Sequence, residues 1–255
     1  MTREYQHNYS ELKPAVFNTD VRERKAETIV RICRDFAGQR AIEEMHLLDI
    51  GSSSGIIDNY LADHFGQVSG IDIDASAMEH AQRSFNKPNL QFEPGDAMDI
   101  ARPENSVDIV VCTQIYEHVP DAATMFGEIF RVLKPGGFCY FAGSNRIMLM
   151  EPHYRLPLLS VIPRPLAHLY MRATGKGDYY HELHFTRGTL LRLCAAFDVT
   201  DYSEKVIRSP QQFGVEYMLP PGSMKHRVAS SIARHAKWAT PMIWILQKPG
   251  GSGAP

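Results

Sequence analysis

Cysteine is scarce in this chain and never paired: Cys33, Cys112, Cys139 and Cys194 stand alone, with no C-x-x-C among them. That spacing carries no zinc-ribbon or dithiol signature, and two of the four sit inside apolar runs where a thiol acts as a small hydrophobe, so buried free thiols are expected. Long hydrophobic runs are missing as well. No stretch approaches the ~20 consecutive apolar residues needed to cross a bilayer, and the opening MTREYQHNYSELKPAVFN is polar and charged, without the apolar centre of a secretion signal. A cytoplasmic location is the expectation. Excess charge of one sign is also lacking: 27 Lys and Arg stand against 29 Asp and Glu, a net charge of -2, which excludes a whole-chain attraction to nucleic acid or membrane. No internal repeat is present. What remains is a chain of 255 residues, 44% hydrophobic and 22% charged, long enough for one full core with an insertion.

From residue 45 onward, strand and helix patterns alternate. HLLDI (His46–Ile50), QVSGIDI (Gln67–Ile73), NLQFEPGD (Asn89–Asp96), SVDIVVCT (Ser106–Thr113) and GFCYFAGS (Gly137–Ser144) are short and rich in β-branched and aromatic residues. Between them, Ile56–Phe65, Ala75–Phe85 and Ala122–Leu133 space apolar residues three or four apart, and Asp121 is placed to cap the last of these. Alternation of this kind predicts an α/β fold, a mostly parallel sheet with helices on both faces, whose ligands sit at the carboxyl ends of the strands. Five divisions follow: a helical segment over 1–44, an alternating α/β core over 45–144, an insertion over 145–186, a return to the sheet over 187–248 and a flexible tail over 249–255. The insertion is proline-bearing and apolar, too long for a simple connection, and is read as a cap after the fifth strand. A helix near Thr186–Phe197, strand material over Val199–Ile207, a basic helix over about Met224–Trp238 and a last strand over Met242–Lys248 complete a seven-stranded sheet.

LLDIGSSSGIIDNYLA (Leu47–Ala62) runs from an apolar strand through a small, flexible turn into a helix. A dinucleotide turn needs G-x-G-x-x-G, and here Ser53 and Ile56 fill the second and third glycine positions. Asp72 ends the second strand, where a carboxylate can accept both hydroxyls of a ribose, although an acidic residue there also suits a helix cap. Asp49-Ile-Gly51-Ser-Ser-Ser-Gly55 resembles instead the D-x-G-x-G-x-G loop of class I S-adenosylmethionine-dependent methyltransferases, the methyltransferase type 11 group that includes ubiquinone-pathway enzymes. The resemblance covers about Met45 to Ser144 and extends to GDAMDI, CTQIYEHVPD and RVLKPGGF in order. It implies a Rossmann-like sheet, S-adenosylmethionine as methyl donor with S-adenosylhomocysteine as product, and a cofactor site made of Asp49, Gly51, Ser52, Ser53, Gly55, Asp72, Ile73, Asp96, Ala97 and Thr113. Ser53 departs from the family's central glycine and is expected to keep a negative φ.

Methyl transfer from a sulfonium is an in-line displacement that asks the protein for alignment and dryness, plus a base where the acceptor is a hydroxyl. His118, just past the fourth strand, is the leading base, with His153 and His181 of the insertion as alternates. Gln114-Ile-Tyr-Glu117-His118 is similar to the E-x-x-E-H pattern that ubiquinone-pathway O-methyltransferases link to a divalent ion, but Gln114 replaces the first carboxylate, so no metal is expected. His181 and His184 form a zinc pair only if their stretch is helical. Tyr5 and Tyr9 are placed to close over the cofactor by resemblance. The expected reaction is O-methylation of a small molecule, with N- or C-methylation, a noncatalytic cofactor-binding subunit and a nicotinamide-dependent reductase as rivals. The apolar insertion (Leu156, Leu158, Leu159, Val161, Ile162, Leu166, Leu169, Tyr170, Met171) leans toward an acceptor with a hydrophobic portion. The basic helix with Lys225, Arg227, Arg234 and Lys237 suits either a solvated outer layer or peripheral contact with an anionic membrane. No nucleic-acid partner is expected.

Overall fold

The computed structural model describes residues 4–12 and 14–251. The Tyr5 side chain and the last four residues of the expected tail lie outside what is described.

In chain order the elements are α1 (Tyr9–Leu12), α2 (Thr19–Ala37), β1 (His46–Ile50), α3 (Ile56–Leu61), β2 (Gln67–Asp72), α4 (Ala75–Ser84), β3 (Leu90–Pro94), β4 (Val107–Thr113), α5 (Ala122–Val132), β5 (Leu133–Gly143), α6 (Arg164–Ala173), α7 (Arg187–Leu193), β6 (Asp198–Asp201), α8 (Ser203–Arg208), α9 (Met224–His235) and β7 (Met242–Gln247). The strands form one sheet in the order β3-β2-β1-β4-β5-β7-β6, with β7 antiparallel to both of its neighbours and the other pairings parallel. This is the Rossmann-like fold expected from the alternating pattern.

Central strands are buried on both faces because their residues are apolar without alternation: Leu47, Leu48, Val110, Val111, Phe138 and Phe141 are inaccessible. Two cores result, one on each face, and all four cysteines are buried in them as free thiols. Helix starts are set by short polar side chains. Asp121 accepts from the Ala123 and Thr124 amides, Asp74 from Ala77, and Thr186 from Thr189. Pro135-Gly136 turns the chain into the main part of β5, with Gly136 at φ 78°.

The segment expected to be strand over Val199–Ile207 divides. Only Asp198–Asp201 pairs with β7, and Ser203–Arg208 is the helix α8, because Val206 and Tyr202 turn inward at helical spacing against α2. Between β5 and α7 the chain builds a small apolar cluster of its own from Leu156, Leu159, Ala167, Met171 and Tyr180.

Strand order reverses between β1 and β4, and such a reversal opens a crevice above the carboxyl ends of those strands. Because β7 runs antiparallel, its first residues, Met242 and Ile243, arrive at the same edge. None of the described helices is long and apolar enough to cross a membrane.

Candidate active site

The loop after β1 is shaped by two glycines. Gly51 (φ 81°) holds a conformation that L side chains rarely adopt, and a Cβ there would press on the end of the Ile115 side chain. Gly55 (φ 74°) would set one 2.7 Å from Ala81 Cβ and from Phe92 Cζ. Ser53 between them also adopts a left-handed conformation, φ 54°, contrary to the negative φ expected of it. Its amide donates to Asp72 Oδ2 at 2.9 Å, and that bond holds the backbone in a region that L-residues otherwise avoid.

Asp72 takes a second amide, that of Asp74, on Oδ1 at 2.9 Å. Helix α4 is capped by Asp74 and not by Asp72, so the Asp72 oxygens keep lone pairs for donors in the crevice. Burial raises the Asp72 carboxyl above its ordinary range, opposed by these two amides.

A cavity of about 670 Å³ lies over the strand ends. Of the residues expected to hold a cofactor, Gly51, Ser53, Asp72, Ile73, Asp96, Ala97 and Thr113 line it, while Asp49, Ser52 and Gly55 stand behind the wall. Asp49 is buried beneath the loop with Oδ1 unpartnered, and the Ser53 hydroxyl is likewise buried without a partner. Burial and the neighbouring Asp58 carboxyl push Asp49 well up, and burial lifts Asp58 to about 7. Two lining cations carry no signal in the sequence: Arg22 and Lys25, one helical turn apart on α2. Burial lowers both, although Tyr9, Asp49, Asp58 and Asp72 favour the charged guanidinium.

His118 and His153 meet at the cavity wall, ring centroids 5.0 Å apart and edge to face. His181 does not line the cavity. Its carbonyl accepts from Arg164 at 2.7 Å and its ring neighbours Tyr179, on the outer side of the 145–186 segment. Tyr9 does line it, with its ring 5.5 Å from that of His118, and burial together with Glu182 pushes its hydroxyl up to about 12. Gln6 Nε2 donates to the His118 carbonyl, and Ser10 donates twice to Asp74 Oδ2 at 2.8 Å, so the N-terminal segment is tied across the crevice.

Behind His153 lies a polar cluster that the sequence shows only as scattered residues. Glu151, Glu117, Glu182 and His184 are all buried. Glu151 Oε1 receives His153 Nδ1 at 2.7 Å and His184 Nε2 at 3.3 Å, and Oε2 receives the Tyr154 amide at 2.7 Å. Burial works against ionisation of Glu151, but the two histidine bonds overrule it and hold the carboxyl down at about 2. Both Glu117 oxygens are unpartnered, and burial lifts that carboxyl to about 7. Two trios, Glu117–His118–His153 and Glu151–His153–His184, bring ligand atoms within 4.8 Å of one another, a spacing that a divalent cation can span. Gln114, where the E-x-x-E-H pattern has its first carboxylate, accepts instead from the Ser144 hydroxyl at 2.8 Å.

The apolar residues of the 145–186 segment do not face the cavity, which corrects the inference drawn from them about the acceptor. Leu156, Leu159 and Met171 pack among themselves, Leu158, Val161, Leu166 and Leu169 are exposed, and only Pro152 and His153 of this segment reach the wall. Away from the strand-end loops, the apolar lining includes Ile29 on α2, Val215, Tyr217 and Met218, and Ile243 on β7.

Residues 48–141 match the family profile described as "Methyltransferase domain". The chain is 30% identical over 146 residues to a ubiquinone biosynthesis O-methyltransferase of Hydrogenovibrio crunogenus, covering 56% of this chain and 57% of that one. It is 29% identical over 110 residues to the protein of the same description from Coxiella burnetii, covering 42% and 47%. The chain thus spans about half the length of the curated relatives it matches. Among solved structures, a chain of the complex between the Haloferax volcanii Trm112 methyltransferase activator and a methyltransferase superposes over 98% of this chain and 99% of its own, with a TM-score of 0.58 at 17% identity. Residues 48–141 thus match a methyltransferase-domain profile, and they lie within a Rossmann-like sheet shared with that solved structure.

Proposed function

We propose that the chain is an S-adenosylmethionine-dependent methyltransferase acting on a hydroxyl of a small molecule. The observation that carries this reading is convergence: a carboxylate with spare lone pairs at the end of β2, a glycine-bound loop after β1 and two imidazoles after β4 and β5 share one cavity. The residues fit that cofactor. Asp72 offers acceptors to a ribose, Ile73 and Ala97 offer apolar surface to a base with Asp96 beside it, Arg22 offers a guanidinium to a carboxylate, and the unpartnered Ser53 hydroxyl has a donor and an acceptor to spare. When bound, the cofactor supplies an electrophilic methyl group on a sulfonium.

The protein's part is alignment, a dry wall and removal of the hydroxyl proton. His118 and His153 stand where that proton leaves, and the 145–186 segment serves as the cap that brings His153 there. The wall of Ile29, Val215, Met218 and Ile243 suits an acceptor with an apolar portion, and Lys25 beside it suits a polar or anionic end. O-methylation is favoured over N-methylation because two imidazoles border the space, whereas an amine with a free lone pair needs no base.

Calorimetry with S-adenosylhomocysteine on wild type and Asp72→Ala, followed by a tritiated-methyl screen of phenols, sugars and amphiphilic alcohols, tests this. Binding by wild type, at least tenfold weaker in the variant, together with label transfer to a hydroxyl, is the expected result. Undiminished binding in the variant, or transfer to amines alone, would refute it.

A further inference from the structure

We propose that Glu151 and His184 form a buried brace that fixes His153 in one tautomer, with Nδ1–H directed at Glu151 and Nε2 carrying the lone pair, and that His153 so held is a base for the acceptor hydroxyl. The inference rests on the methyl-transfer reading above.

The geometry begins with Glu151, which is 0% exposed and sits in a turn closed by two backbone bonds, Glu151 N to Leu156 O at 3.1 Å and Arg155 N to Glu151 O at 2.9 Å. Pro152 follows it and restricts its backbone to extended values, so the carboxylate is aimed by a stiff piece of chain. Both oxygens are engaged, Oε2 by the Tyr154 amide and Oε1 by the two imidazoles. An ionised carboxylate only accepts, so the imidazole nitrogen facing it must carry hydrogen. A neutral imidazole has one N–H, and with Nδ1 protonated the lone pair is left on Nε2. The same arrangement of carboxylate, oriented imidazole and reacting hydroxyl operates in hydrolytic triads, where the carboxylate sets the tautomer and stabilises the imidazolium once it forms.

The surroundings favour the second task as well. The groups around the His153 imidazole are Glu151 and His184 within the brace, the carboxyls of Glu117 and Glu182, and the ring of His118. Burial opposes a charge on His153, but the Glu151 bond and the neighbouring carboxyls outweigh it and raise the imidazole above its usual range. In the step, His153 Nε2 accepts the hydroxyl proton while the oxygen lone pair forms the new C–O bond, and the electron pair of the broken S–CH3 bond stays on sulfur. The proton later leaves His153 for water. Glu151 and His184 touch neither acceptor nor cofactor and are positioning residues.

The test uses the full chain, uniformly 15N-histidine labelled, with His153 assigned by comparison with His153→Gln. Imidazole in water prefers the Nε2–H form, so an Nδ1–H signature at His153 in wild type is diagnostic. Glu151→Gln is expected to lose that signature and to lower kcat with a long-chain alkyl catechol by about 100-fold or more. KM and the affinity for S-adenosylhomocysteine should stay within about threefold. Glu151→Asp should restore part of both losses, and His184→Gln should give an intermediate effect, which keeps the test readable if Glu151→Gln fails to fold. An Nε2–H signature in wild type, or a Glu151→Gln enzyme with kcat within threefold of wild type, overturns the proposal. So does stoichiometric Mn²⁺ or Zn²⁺ that displaces the His153 and His184 signals together and is required for turnover, since the cluster is then a metal site. Wild type that shows the Nδ1–H signature but binds no S-adenosylhomocysteine upholds the brace and overturns the methyl-transfer reading beneath it.

Discussion

Ser53 shows what a single backbone angle costs. A side chain at φ 54° is disfavoured by about 1 kcal/mol or more, and the Ser53 hydroxyl is in addition buried without a partner. Ser53→Gly removes both penalties and keeps the amide bond to Asp72, at the expense of a more flexible unfolded chain. A net gain of about 0.5–1 kcal/mol is expected, read as a rise of about 1–2 °C in Tm. Affinity for S-adenosylhomocysteine should fall by about threefold or more, because the hydroxyl is the part proposed to meet the ligand. Unchanged affinity would place Ser53 in the loop for its backbone alone. Gly51, at φ 81°, is the residue a side chain would strain, and a methyl group there would also have to displace the Ile115 side chain.

At the scale of elements, two helices begin in the same way but differ in consequence. Asp121 caps α5 and does nothing further in the site, so Asp121→Ala should cost about 1 kcal/mol and leave ligand binding unchanged. Asp74 caps α4 and also receives two bonds from Ser10, which ties the segment bearing Gln6 and Tyr9 across the crevice. Asp74→Ala should therefore cost about 2–3 kcal/mol and weaken S-adenosylhomocysteine as well. Denaturant unfolding and calorimetry on both variants separate the two roles. Equal binding losses, or none in either, would show that the N-terminal segment has no part in holding the ligand.

Over the whole molecule, the buried acids set how stability varies with pH. Asp58 is lifted from an ordinary carboxylate value to about 7 by burial, and Asp49 is lifted with it by burial and by the Asp58 charge. A carboxyl raised on folding stabilises the native state fully below its unfolded value and loses that contribution as pH rises through its folded value. Glu117, lifted to about 7, and His153, also raised, act in the same direction, whereas Glu151, held at about 2, contributes fully above its unfolded value of about 4.5 and loses that contribution as pH falls from there through about 2. Tm is expected to fall as pH rises from about 4 through about 7, by about 5 °C for a loss of about 2 kcal/mol. Asp58→Asn should flatten that slope, and an unchanged slope in the variant would assign the pH dependence elsewhere.

Strand and helix order was legible in residues because it is a matter of local periodicity. The runs Leu47–Ile50 and Val107–Thr113 can bury both faces only in a central parallel strand, and the alternation with Ala75–Ser84 and Ala122–Val132 leaves few topologies open. That Gly51, Asp72, Asp96 and Thr113 border one cavity was legible because each lies at or just past the end of a strand, and the strand ends share one edge. Other features follow no periodicity. Ser203–Arg208 is helical because of what it packs against, and the apolar residues of 145–186 turned toward one another and toward solvent, which composition alone does not reveal.

The sequence by itself determined most of the order of the elements and the cap of α5, since each depends on residues within a few positions of one another. Only the tertiary structure decided that Arg22 reaches the cavity, that His181 stays outside it and that Glu151, His153 and His184 share one carboxylate oxygen. Those pairings join residues up to 33 positions apart, and hydrogen-bond geometry depends on distance in space, which a one-dimensional pattern does not contain.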